Sequence, residues 1–146
     1  MASSLATTRV TIEERFKRQF TSANGAAIIW ANTPDDPPTD GSVWVEPSIL
    51  WGQGDLRTKD GRNTIVGVLN VNVFAPAGTG TGTLFDTADD VRDIYNRVEV
   101  SGVRFGIPSG PRLVPVTTAL RFKSSPDGRW VQANVSIPFT VDETVT

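Results

Sequence analysis

Between Trp130 and Val141 the chain alternates strictly. Val131, Ala133, Val135, Ile137 and Phe139 take every second position, and Gln132, Asn134, Ser136 and Pro138 take the others. Successive side chains of a strand point to opposite faces, so this run sets one face on a core and leaves the other polar. Arg62 to Phe74 has the same period, with Ile65, Leu69, Val71 and Val73 on one face and Asn70 and Asn72 on the other. Two half-buried strands of this length need a cover for their apolar side.

The sequence supplies two helical segments. Thr11 followed by Glu14 has the form of a capping box, and Ile12, Phe16 and Phe20 then recur every four residues, leaving Arg15, Lys17 and Arg18 as a solvated face. The start could also lie a turn earlier, at Thr7 or Thr8, and Asn24-Gly25 ends the helix. The second helix is predicted from about Gly82 to Arg97, with Leu84, Ala88, Val91, Tyr95 and Val98 on its apolar side. Asp86, Asp89, Asp90 and Asp93 lie outside, the early ones near the positive end of the helix dipole.

Shorter β runs fill the remainder. Ala26 to Ala31 has strand length and is followed by a Pro/Asp-rich surface loop, Asn32 to Gly41. Val43 to Leu50 alternates, with Pro47 pointing to an edge position or a bulge. Val103 to Ile107 and Leu113 to Phe122 precede the last strand, which Ser125-Pro126-Asp127-Gly128 would join by a hairpin turn. The expected fold is one α+β domain over residues 1–146: a largely antiparallel or mixed sheet, two helices packed on one face, and a long hairpin arm. The arm is Trp51 to Arg62, with its turn at Asp60-Gly61.

The chain has no Cys and no His. Imidazole general bases, thiolate nucleophiles, Cys/His zinc sites and disulfides are thereby excluded. Carboxylate chemistry survives that cut, but neither Asp35, Asp36 and Asp40 nor the aspartates of the second helix follow an EF-hand pattern, and no catalytic carboxylate pair stands out. Gly78 to Thr83 lacks the Lys-Ser/Thr of a P-loop and reads as a linker. No catalytic, cofactor or metal residue is assigned. A net charge of −2 argues against a domain that wraps nucleic acid. With no signal-peptide pattern at the N-terminus and no run of 18 apolar residues, a cytosolic product and no membrane partner are expected.

Two features invite contact with other proteins. Trp30, Trp44, Trp51 and Trp130 suit core or interface packing better than a sugar or base-stacking platform. Trp51, Asp55, Arg57, Lys59, Asp60 and Arg62 combine an aromatic with opposed charges on a projecting segment, the composition of an arm that docks on a neighbour. A mobile hairpin tip is the plainer alternative.

The order and spacing of these parts resemble the tail terminator proteins of long-tailed, siphovirus-like bacteriophages. The matching features are the helix Val10 to Phe20, the segment Ala27 to Pro34, the strand Gly61 to Phe74, the loop Ala75 to Gly82 feeding a helix, and the closing strand Val131 to Phe139. That resemblance implies a non-enzymatic homo-oligomer, a ring and typically a homohexamer, in the tail and neck of a virion assembled in the bacterial cytoplasm. Such a ring caps the major tail tube protein, stops its polymerisation and offers a joint to the head-completion or connector protein. Double-stranded DNA passes through it without sequence-specific binding. A tail-tube or head-completion protein is the structural alternative; a small carboxylate-dependent enzyme or sugar-binding module is the alternative of another class.

Overall fold

A computed structural model describes residues 5–31, 33, 38, 42–52, 55–56, 62–76, 82–118 and 129–144. The elements run α1 (Leu5–Ala23), β1 (Ala27–Ile28), β2 (Trp44–Trp51), β3 (Asp55–Leu56), β4 (Arg62–Pro76), α2 (Gly82–Tyr95), β5 (Glu99–Val100), β6 (Val103–Phe105), β7 (Ser109–Thr118) and β8 (Arg129–Thr144). The strands form one sheet in the order β1-β2-β4-β8-β6-β5, with β3 also on β4 and β7 also on β8. All pairings are antiparallel except β1 with β2. The architecture is the expected α+β class, with two helices over a mixed sheet.

The two alternating runs form the spine. β4 and β8 pair without a slip from Arg62↔Thr144 to Pro76↔Trp130. Fifteen strand residues reach about 50 Å, long for a domain of this size. On the helix side this ladder stacks Leu69 with Ile137, Val71 with Val135 and Val73 with Ala133, all fully buried. Ile12, Phe16 and Phe20 of α1 and Leu84, Ala88, Val91 and Tyr95 of α2 complete that core. A smaller cluster, Ile29, Trp44 and Phe74, lies on the far face, where the Trp44 and Phe74 rings stack 4.3 Å apart.

α1 departs from the expected start. Thr11 is interior, and its hydroxyl donates to the Thr7 carbonyl at 3.0 Å, so the Thr11/Glu14 pair is no cap. The buried stripe begins one turn earlier, at Thr8, and the helix extends through it. Asn24 and Gly25 do end α1, both amides donating to the Phe20 carbonyl, with Gly25 at φ 82° in the left-handed region. Arg15 is not simply solvated. It donates to the Ile94 carbonyl through Nε (3.1 Å) and an Nη atom (2.8 Å), supplying a partner to the C-terminal end of α2. α2 ends at Tyr95 rather than Arg97, which has a φ of 56°, and its first turn holds no acidic residue.

Pro47 sits inside the sheet rather than on an edge. β2 lies between β1 and β4, and the Pro47 carbonyl accepts from the Ala31 amide at 3.0 Å. The amide and carbonyl of a strand residue point to the same side, so the donor that proline lacks faces β1 and removes nothing from the β2–β4 ladder. The expected Asn32–Gly41 and Gly78–Thr83 loops fall largely outside the described residues, as does the Ser125–Gly128 turn, and Gly82 and Thr83 already belong to α2.

Candidate functional site

The spine strands run on past the central rows, and on the helix side Phe139 and Val141 remain in the same buried core. Beyond Leu69 and Ile137 the ladder continues through Gly67↔Phe139 and Ile65↔Val141 to Arg62↔Thr144. On one side β3 adds Asp55↔Thr64 and Leu56↔Asn63; on the other, β6 adds Val103↔Val141 and Phe105↔Phe139. Between β2 and β3 the register on β4 slips by one residue, from Trp51↔Gly67 to Asp55↔Thr64. The arm therefore stands on a ladder that stays paired along its whole length. It is broader than the expected Trp51–Arg62 hairpin, because β8 runs beside it.

Of the six residues read from the sequence, Trp51 is the last of β2, Asp55 opens β3 and Arg62 opens β4. Arg57, Lys59 and Asp60 lie outside the described residues. Trp51, 39% exposed, meets Phe139 edge to face at 5.6 Å between ring centroids. Phe139 lies across Gly67, where a Cβ would stand 2.9 Å from Phe139 Cε1, closer still to Cζ, and 3.0 Å from the Leu50 carbonyl oxygen. Only glycine fits beneath that ring. The aromatic contacts then continue inward, Phe139 to Phe105 at 6.0 Å, Phe105 to Tyr95 at 4.5 Å and Tyr95 to Phe16 at 6.4 Å, linking the arm root to both helices. Phe16 also meets Trp30 edge to face at 5.7 Å.

Tyr95 anchors that chain. Its hydroxyl donates to the Ile12 carbonyl at 2.8 Å. Burial pushes its phenol well above the ordinary tyrosine range, with Arg15, whose guanidinium lies 5.9 Å from the ring, pulling the other way.

The face away from the helices changes character along the strands. Near its middle, Asn134 Nδ2 donates to Asn70 Oδ1 (2.7 Å) and Asn72 Oδ1 (2.8 Å), the Ser136 hydroxyl reaches Asn70 Oδ1 (3.2 Å), and Asn72 Nδ2 reaches Glu46 Oε1 (3.5 Å). Leu50, Val68 and Pro138 form the next row, followed by Val66 and Thr140. Leu50 is 57% exposed and Val66 38%, and an apolar concavity of about 380 Å³ lies here between β2, β4 and β8. Farther out, Asp142 accepts from Thr64 Oγ1 at 3.0 Å and pairs with Arg104 at 3.2 Å.

Sequence reading missed this apolar band and the extension of the last strand past Val141, beside the arm. The alternation leads to Val141 and the strand runs three residues farther; exposure of Leu50 and Val66 leaves no mark in an alternating pattern. The candidate phosphate loop lies largely outside the described residues. Asp86, Asp89 and Asp93 are exposed on α2, and Asp90 accepts from Asn24 Nδ2 at 2.8 Å. Among the described residues no group of three His, Cys, Asp or Glu side chains is placed to hold a metal ion, and no helix is long and apolar enough to cross a membrane. Among the described residues this arrangement offers surfaces for contact.

Residues 8–139 match the family model described as phage tail terminator protein. No curated protein matches the chain. Ten chains of solved structures match. One of them is 19% identical, covers 98% of this chain and 97% of its own, and superposes with a TM-score of 0.61, a likeness of fold.

Proposed function

The chain belongs to the phage tail terminator protein family, and from that premise we propose that it closes into a ring, of six copies as is typical of such proteins, which caps the tail tube. The ring stops addition of further tube subunits and presents the joint to the head-completion protein. Membership makes the protein a structural component of the virion; the neck position, the ring and its partners belong to this proposal.

The observation that supports it most is the family match across residues 8–139. The arm suits such work. A ring needs a heterologous contact whose rotation closes, and that contact needs two different surfaces on each copy. The arm root supplies one: the exposed Trp51 and Leu50 beside an apolar hollow, with the Arg104–Asp142 pair farther out. Large exposed aromatics beside a polar rim are the usual anchors of protein contacts. Trp51, Asp55, Arg57, Lys59, Asp60 and Arg62 are the proposed docking segment. The work is done by surfaces, and no residue is assigned a catalytic role.

Deleting the gene from its phage tests the proposal. Tails of abnormal length that fail to join heads are expected, with normal tails restored by the wild-type chain. Normal-length tails that still join heads would contradict it. Negative-stain microscopy separates the tube alternative, since a tube protein grows long cylinders and a terminator stops at one ring.

A further inference from the structure

We infer that β7 is a guarded edge of the sheet: its open side could accept a strand from a second copy of the chain, and Pro115, with Pro111, keeps that strand out. The guard belongs to the chain itself and does not depend on the ring proposed above.

Four strands have a single neighbour among the described residues: β1, β3, β5 and β7. The first three are two residues long and give a further strand almost nothing to pair with. β7 has ten residues, pairs only with β8 and leaves Leu113 exposed. From Leu113 to Thr118 it reads Leu-Val-Pro-Val-Thr-Thr, which carries no charge and is rich in β-branched residues. Without its proline, such a segment on an open edge is a template for sheet growth.

The backbone shows what blunts this edge. β8 pairs with β4 without a slip, so its successive residues turn their amides and carbonyls alternately to its two neighbours. The Pro138 carbonyl accepts from the Gly106 amide at 2.8 Å, on the side away from β4, and by the same alternation Asn134 and Gln132 face β7. Their partners Arg112 and Val114 therefore bond inward, and Leu113 between them turns its N–H to the open side. The positions two residues to either side of Leu113 are Pro111 and Pro115, which have no N–H. An added antiparallel strand needs a donor at every second residue, and along this stretch it meets one. β7 also carries an extra residue between Ser109 and Arg112 and another between Val114 and Thr117, so each proline lies in a bulge. Bulges bend and twist an edge away from a flat partner, and the exposed Arg112 adds a charge.

The strand kept out is the β7 of another copy, which offers the same stretch in return. Pro115→Val restores the missing donor and completes an uncharged six-residue run, whereas Pro115→Lys restores the same donor but sets a charge on the edge. Size is read by sedimentation over a range of concentrations, sheet growth by thioflavin T, and the fold by tryptophan emission and melting. Pro115→Val is expected to shift to species larger than any the wild type forms and to bind thioflavin T, while Pro115→Lys keeps the wild-type size. Wild-type size for Pro115→Val, or equal association of the two variants, would overturn the guard. Hydrogen exchange on the wild-type chain gives a second reading that needs no variant to fold: the Leu113 amide should exchange about tenfold or more faster than those of Arg112 and Val114. Equal protection at the three positions would mean that the open side already has a partner, and would overturn the inference whatever the variants do.

Discussion

The inner and outer halves of the β4–β8 ladder share one register and one alternation, yet they live in different surroundings. From Leu69 to Ala75 the ladder lies under the helices and its apolar face is fully buried. From Gly67 outward Phe139 and Val141 stay buried on that side, but Val66 and Leu50 on the opposite face and Trp51 at the end of β2 are exposed. The helix side is core along both halves; what changes outward is the opposite face, which passes from a polar amide network to an exposed apolar band. Stability is thus concentrated on the helix side of the ladder, and contact surface on the opposite face of its outer half and at the end of β2.

Removing a ring from the helix side should have the largest effect. Phe16→Ala deletes a buried side chain that touches Phe20, Trp30 and Tyr95, and a loss of about 3–5 kcal/mol is expected in chemical denaturation. A loss as small as that of an exposed arm residue would break the comparison. Gly67 stands at the boundary. Gly67→Val forces Phe139 off its seat, with an expected cost of about 1–3 kcal/mol, and Trp51 emission should change with it. An unchanged melt would mean that the ring moves freely.

Tyr95 sharpens the helix side through pH. Its folded-state pKa is raised, so its contribution is fully present below the unfolded value near 10 and is lost as pH rises above it. Wild type should lose up to about 1.4 kcal/mol per pH unit above that point relative to Tyr95→Phe. At neutral pH the same substitution should cost about 0.5–1.5 kcal/mol, for the bond to Ile12. Parallel stability curves for the two proteins would contradict the buried anchor. Smallest is Arg104→Ala at the outer end, where the partners are 45% and 47% exposed; a change of about 0–1 kcal/mol is expected, shrinking further in high salt.

The sequence revealed the spine because alternation writes burial directly into residue order. It revealed α2 and the end of α1 for similar reasons, through helical spacing and Asn24-Gly25. Arg15 was opaque, since a cation beside a helix stripe looks the same whether it meets water or the carbonyl of a residue 79 positions away. Pro47 misled, because the side on which a proline lacks its donor depends on the neighbour in the sheet. In the candidate site, Trp51 and the hairpin could be read from the chain. The last strand was read only to Val141, because Asp142-Glu143-Thr144 carries no apolar member to continue the pattern. The apolar band was hidden because Leu50 and Val66 lie on the face away from the helices, and nothing in the residue order says which apolar residues of that face are left exposed.

The separation of stability from contact is tested most directly by Trp51→Ala as the sole copy in an infection, with tail lengths measured by microscopy and the purified variant melted alongside. Loss of one exposed edge-to-face contact should cost only about 0.5–1.5 kcal/mol, while tails become abnormal in length or fail to join heads. Tails of normal length joined to heads would contradict the arm root as the assembly surface.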